Sequence, residues 1–273
     1  MMLRLAAAAM LGWASAASAD VSLTRLDCGS VHVSDLNLFS DTMAYDGRHY
    51  ELTASCYLVR HGDEYLLWDT GVPASLKGAA IDPKQGMSPT LKATLVEQLA
   101  TLGLKPAQIG RIGISHYHFD HTGQAAAFPQ ATLLIGARDW EVLSKNSAPG
   151  QADPEAVAPW IKGGSKVEPV VGDKDIFGDG SVTMIELPGH TPGHHGLLVR
   201  LKETGPVLLT GDVSHFTENY ASDGIPPFNT DRADSLAALD RFKKIAANLK
   251  ATVIIQHEPA DIAKLPAFPK AAR

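Results

Sequence analysis

Short apolar runs punctuated by Gly, Pro and Asp recur along the chain from Val21 onward. Val21 to Leu26, Ser55 to Arg60, Tyr65 to Trp68, Ile109 to Ile114, Thr132 to Ile135, Val182 to Glu186, Gly196 to Leu201, Val207 to Thr210 and Thr252 to Ile255 are rich in β-branched residues and predict strands. Between them, Ser88 to Leu102, Arg138 to Ser144 and Asp234 to Leu249 predict helices. In the last, Leu236, Leu239, Phe242 and Ile245 recur at spacings of three, a stripe that packs onto a sheet. The strands fall into an early and a late group, each with helices beside it, which predicts an α/β fold of two sheets covered outside by helices. No repeat, low-complexity tract or linker interrupts the pattern, so one domain is expected over residues 20–273. Lys77 to Pro89 and Asn146 to Gly164, rich in Gly, Pro and Ser, read as loops near a substrate mouth.

The first 19 residues break this pattern. They carry one cation, Arg4, a short apolar stretch and the small-x-small triplet Ala17-Ser18-Ala19. This reads as a secretory signal, too short to span a membrane, and places the mature chain in the periplasm or outside the cell, with no membrane insertion after its removal. Its loss leaves 23 basic against 30 acidic residues, a net charge of −7. With no basic run, nucleic acid is excluded as a partner. Cys28 and Cys56 are the only cysteines. They are compatible with one disulfide in an exported protein, and equally with a reduced, buried Cys56 in its apolar run. Neither has the CxxC spacing of a redox or zinc-ribbon site.

Ile112-Gly-Ile-Ser-His-Tyr-His-Phe-Asp-His-Thr-Gly123 is an apolar strand running into a polar turn that carries His116, His118, Asp120 and His121. A strand end can aim several side chains at one point. Packing three imidazoles and a carboxylate together costs desolvation unless a cation compensates, so a metal is the economical explanation. Three further strand ends supply matching donors: His190, His194 and His195 in Pro188-Gly-His-Thr-Pro-Gly-His-His195, Asp212 after Leu208-Leu-Thr-Gly, and His257 after Ile254-Ile-Gln. Taken singly, Asp212 and His257 read equally as turn residues. Together they supply what a two-metal site needs.

The runs Leu67-Trp-Asp-Thr-Gly71, His116 to His121, Pro188 to His194, Thr210-Gly-Asp212 and His257 resemble the metallo-β-lactamase superfamily, in order and over most of the mature chain. Cys56-Tyr-Leu-Val59, Asp69-Thr-Gly-Val-Pro73 and Gly211 to Asn219 are similar to its N-acyl-homoserine lactonase branch. The resemblance implies a four-layer αβ/βα sandwich with metals at one edge of the two sheets. One metal would be held by His116, His118 and His194, the other by Asp120, His121 and His257, with Asp212 bridging. His190 would order its loop, His195 would pack nearby, and Asp69 would orient a metal-bound histidine.

The same resemblance implies a two-metal hydrolase, with zinc favoured over iron, manganese or cobalt, that opens the lactone ring of N-acyl-homoserine lactones (quorum quenching) through a metal-bridging hydroxide, Asp120 shuttling the proton. Where the lactonases commonly place a tyrosine three residues after the bridging aspartate, this chain has His215: either its neutral imidazole donates the same hydrogen bond to substrate, or the substrate differs and His215 is a loop residue. Leu36 to Phe39 and Met43 to Tyr45 are candidates for an acyl-chain groove or a packed strand edge. Other esters, thioesters, β-lactams and phosphotriesters fit the same metals. A mononuclear iron persulfide dioxygenase would leave Asp120, His121 and His257 partly idle, and a non-catalytic metal binder would need no open coordination position. The expected partner is a small ester or lactone, with a homodimer compatible with this reading.

Overall fold

Residues 19–145 and 152–273 are described by a computed structural model in which two β-sheets pack face to face. Strands β1 (Val21–Val33), β2 (Tyr50–His61), β3 (Glu64–Trp68), β4 (Met87–Thr90), β5 (Arg111–Ile114), β6 (Thr132–Gly136) and β7 (Val167–Val170) form the first, in the order β4-β1-β2-β3-β5-β6-β7. Strands β8 (Lys174–Asp175), β9 (Val182–Glu186), β10 (His195–Leu201), β11 (Gly205–Leu209) and β12 (Thr252–Ile254) form the second, in the order β12-β11-β10-β9-β8. The helices are α1 (Leu95–Thr101), α2 (Phe119–Thr122), α3 (Ala137–Ser144), α4 (Ala158–Ile161), α5 (Thr217–Ser222), α6 (Arg232–Leu249) and α7 (Pro259–Ile262).

Four layers follow from the period of two along each strand. In β3, Leu66 and Trp68 face the second sheet while Leu67 faces outward; in β6, Leu134 faces inward between Leu133 and Ile135. Val207 and Leu209 of β11, and Leu197 and Val199 of β10, complete the inner core, whereas Leu208 and Leu198 face α6. Because both faces are buried, these strands are continuously apolar. On the outer face of the first sheet, α1 contributes Leu95 and Leu99, and α3 contributes Leu143. The inward stripe of α6 is Ser235, Ala238, Leu239, Phe242 and Ala246, so Leu236 and Ile245 sit at its margins rather than at its centre. The predicted α/β sandwich is the observed fold.

Several boundaries differ from expectation. Helix α1 begins at Leu95, where Thr94 and Glu97 form a reciprocal capping box, and Met87–Thr90 pairs instead with the end of β1. The two unforeseen edge strands of the first sheet, β4 and β7, each contain a proline, Pro89 and Pro169. A sheet edge tolerates the missing N–H, which is why residues that read as breakers belong to strands. Strand β1 continues past Leu26 through a bulge between Asp27 and Ser30. Gly29 there has φ +117°, and a Cβ on it would lie 2.7 Å from both Thr90 O and Val72 Cγ2. The expected loop from Asn146 to Gly164 contains α4, while residues 146–151 lie outside the described residues. So does the expected signal segment, apart from Ala19.

Cys28 and Cys56 are joined by a disulfide that ties β1 to β2 under the Asp69-Thr70-Gly71 turn. Of the two arrangements open to these cysteines, the bonded one is present. No helix among the described residues is long and apolar enough to cross a membrane.

Candidate metal centre

Strands β3 and β5 run parallel, as do β11 and β12, and β9 shares the direction of β11 because each is antiparallel to β10. Donor residues follow the C-terminal ends of all five: Asp69 after β3, His116 to His121 after β5, His190 after β9, Asp212 after β11 and His257 after β12. Two rigid sheets therefore aim side chains from five strand ends at one edge of the sandwich.

These donors converge in two groups, His116, His118, His190 and Asp212, and Asp120, His121 and His257, each within 4.8 Å of one another. In the first, His190 Nε2 lies 3.2 Å from His116 Nε2 and 3.0 Å from His118 Nδ1. In the second, His121 Nε2 and His257 Nε2 face each other at 3.2 Å. Asp212 joins the groups. Its Oδ2 lies 3.6 Å from His116 Nε2 and 3.3 Å from His190 Nε2, while its Oδ1 lies 3.2 Å from His121 Nε2 and 2.9 Å from His257 Nε2.

The second nitrogens of these rings decide what the first can do. His257 Nδ1 lies 2.6 Å from Thr53 O, His190 Nδ1 lies 2.9 Å from Asn229 Oδ1, and His121 Nδ1 lies 3.0 Å from Asp69 Oδ2. Only an N–H fits beside each of these oxygens, so when such a ring is in its neutral, metal-binding form its Nε2 carries a lone pair directed at the shared space. Lone pairs facing one another about 3 Å apart repel unless something positive lies between them. Asp212 Oδ1, also buried, has no well-aligned hydrogen-bond donor among the described residues. The donor set, imidazole nitrogens with carboxylates of mixed hardness, fits divalent metal ions.

The electrostatics agree. Burial pushes the His116 and His118 imidazoles well below their usual range, and neighbouring histidines push them further, so both are neutral donors. Burial alone would also lower His121, but Asp212, Asp69 and Asp120 together hold it well above. His257 is raised in the same way by Asp212 and Asp120. Burial would raise Asp212, yet His257, His121, His215 and His116 override it and keep the carboxylate ionised. The acids thus create a demand for positive charge that metal ions satisfy.

One expected ligand is not part of either group. The His194 ring is saturated: its Nδ1 lies 3.0 Å from Leu187 O, and its Nε2 accepts from the Asp212 backbone N–H at 2.7 Å. A Cβ at position 211 would lie 2.5 Å from His194 Nε2, so Gly211 permits this approach. His190, expected only to order its loop, takes the place assigned to His194. Two histidines four residues apart in one turn look alike in sequence, and only the backbone partners of one separate them. His195 packs with Nδ1 2.7 Å from Gly193 O, outside both groups.

Asp69 lies where the resemblance implied. Its φ of +58° turns the carboxylate inward, where it accepts from Ser115 N at 2.7 Å and faces His121. Gln256 was not foreseen: its Nε2 donates to Asp69 Oδ2 at 2.9 Å, and its Oε1 accepts from Gly211 N and Trp68 Nε1. A fully buried glutamine bridging the ends of two sheets was legible only as a polar residue in an apolar run. Asn229, the partner of His190, lay in a segment without any pattern. His215 is in the centre, with Nε2 3.1 Å from Asp212 Oδ2. Tyr220 packs beneath α6, and Tyr117 is buried in the core outside the first sheet.

The open side of the centre is lined by His118, Asp120, Asp212, His215 and His257 and walled by Val31, Phe39, Leu52, Met87, Phe119 and Phe228. Phe39 lines this opening and, with Leu36 and Tyr45, is buried in a hydrophobic cluster, whereas Met43 is exposed.

The family model described as the metallo-beta-lactamase superfamily matches residues 49–257. An N-acyl homoserine lactonase, AttM, of Azorhizobium caulinodans is 28% identical over 88% of this chain and 94% of its own length. The lactonase AttM of Rhizobium radiobacter is 29% identical over 91% and 98%. Among solved structures, an N-acyl homoserine lactone hydrolase with N-hexanoyl-L-homoserine bound at its catalytic metal centre superposes with a TM-score of 0.78 at 23% identity, covering 93% of this chain and 100% of that one. AidC, a dizinc quorum-quenching lactonase, superposes with a TM-score of 0.67 at 19% identity, covering 94% and 91%.

Proposed function

We propose that this chain, which belongs to the metallo-β-lactamase superfamily, opens the ring of N-acyl-homoserine lactones by hydrolysis. Two divalent ions, zinc in our reading, would be held by His116, His118 and His190 and by Asp120, His121 and His257, with Asp212, whose Oδ2 faces the first group and Oδ1 the second, serving both. That split of one carboxylate between two converging donor sets is the observation that carries the proposal. Such a pair of cations lowers the pKa of water and polarises an ester carbonyl.

The chain's own residues supply orientation and containment. Asp69, Thr53 and Asn229 fix the proton of three imidazoles on the side away from the reacting space. Asp120, with its side chain 14% exposed, is the most accessible of the site carboxylates and carries a proton between water and the opened ring oxygen. The walls of Phe39, Phe119, Phe228 and Met87 receive the apolar acyl chain and exclude bulk water. Water adds to the carbonyl carbon, the ring C–O bond breaks, and the product is the acyl-homoserine carboxylate. The lactonases among the relatives support this substrate over a β-lactam or phosphotriester.

Export to the periplasm or beyond is part of the proposal, supported by the first 19 residues and by the Cys28–Cys56 disulfide. Degradation of acyl-homoserine lactone signals outside the cytoplasm would then be its physiological effect. A panel of acyl-homoserine lactones of graded chain length, a β-lactam and a phosphotriester, compared by kcat/KM, tests the substrate. A preference for either of the last two would replace it.

A further inference from the structure

His215 differs in one respect from the histidines that surround it. His121, His190 and His257 each face an oxygen with the second ring nitrogen, which places an N–H on Nδ1 and leaves Nε2 as the nitrogen free to bind metal. His215 Nδ1 is buried with no hydrogen-bond partner among the described residues, while its Nε2 lies 3.1 Å from Asp212 Oδ2. A neutral imidazole has one proton. Beside a carboxylate oxygen on one side and no acceptor on the other, that proton belongs on Nε2.

The ring is also held still. It stacks on His257 at 5.7 Å with an interplanar angle of 10°, and Phe39 and Phe228 meet it edge-on at 5.0 and 5.9 Å. Its loop is pinned two residues on, where Thr217 N and Oγ1 donate to Glu258 Oε2 at 3.1 and 2.9 Å. Glu258 adjoins His257 and also accepts from Tyr50.

We propose that His215 is a positioning residue for the shared carboxylate: its Nε2–H donates to Asp212 Oδ2 and fixes the carboxylate plane that divides Oδ2 and Oδ1 between the two groups of donors. This replaces the substrate-donor role expected from the sequence, because the one ring nitrogen that faces the centre, Nε2, is turned to Asp212 Oδ2 at 3.1 Å. The effect is one-sided. Oδ2 serves the group of His116, His118 and His190, so that half-site depends on His215, whereas Oδ1 serves the other. The inference rests on the two-metal reading and is independent of the lactone substrate.

Zinc binding tests it without turnover. In the 15N-labelled, zinc-loaded wild-type protein, His215 is expected to show a protonated Nε2 and a bare, uncoordinated Nδ1. His215→Phe is expected to weaken one of two bound zinc equivalents by about 10- to 100-fold and leave the other unchanged. His215→Gln, which restores an N–H at similar reach, should recover most of that loss. A proton on Nδ1, zinc bound directly to His215, or unchanged affinity for both equivalents in His215→Phe would overturn the proposal. A wild-type protein that binds one zinc would instead remove the two-metal reading itself, and this inference with it.

Discussion

Asp69 Oδ2 stands 3.0 Å from His121 Nδ1, with Gln256 Nε2 on the same oxygen at 2.9 Å and Ser115 N on its partner oxygen at 2.7 Å. A buried carboxylate thereby sets the ring orientation of a metal-facing histidine from behind, and links the first sheet to Gln256 at the end of the second.

Asp69→Asn keeps the size of the side chain but gives up the charge facing His121. Metal affinity is expected to fall by about 10- to 100-fold, read by competition with a chelator. Affinity equal to wild type would show that His121 is oriented without Asp69.

The exchange of roles between His190 and His194 is directly measurable. His190→Ala removes a lone pair from the first group and is expected to retain about one metal ion per chain against about two in the wild type, by elemental analysis. His194→Ala should keep about two while losing stability, because it strips the Asp212 N–H and Leu187 O of their buried partner. The opposite pattern would restore His194 as the ligand.

Asp139 contributes a pH dependence. Burial pushes its carboxyl from 3.8 up to about 7, although Thr191 Oγ1 and Gly193 N both donate to it at 2.6 Å. A folded-state pKa above the unfolded one means that the native state binds the extra proton, so stability present below about pH 4 is lost as pH rises toward 7. Relative to Asp139→Asn, the wild type should lose up to about 4 kcal/mol across that window in denaturant titrations, an upper bound from roughly three pKa units. A stability difference that stays flat from pH 4 to 8 would contradict this.

The disulfide closes a loop with a sequence separation of 28. Its removal by Cys28→Ala with Cys56→Ala is expected to cost about 3 kcal/mol in denaturant unfolding, and reductant should then no longer affect stability. An unchanged midpoint would show that the sheet pairing of β1 and β2 suffices alone.

What the sequence conveyed and what it withheld separate along physical lines. Strands such as β3, β6 and β11, buried on both faces, announce themselves as apolar runs, and Asp69, His116, Asp212 and His257 are each legible as donors just beyond a strand end. The edge strands β4 and β7 were hidden by Pro89 and Pro169, which matter only where a strand has a second neighbour. His190 and His194 could not be told apart, because the choice was made by Leu187 O and the Asp212 N–H, backbone groups whose position no side-chain pattern encodes. Gln256 and Asn229 act through partners 187 and 39 residues away, contacts that exist only once the sheets are stacked.

In the proposed function, two metal ions shared through Asp212 would carry lactone hydrolysis. Metal content and ring opening of N-hexanoyl-homoserine lactone, followed by proton release on one preparation, test it together. Two metal equivalents per chain, activity lost as a chelator removes them and regained on zinc addition, is the predicted result. Ring opening that survives complete metal removal, or a fully metal-loaded protein with no turnover of any acyl-homoserine lactone, would contradict it.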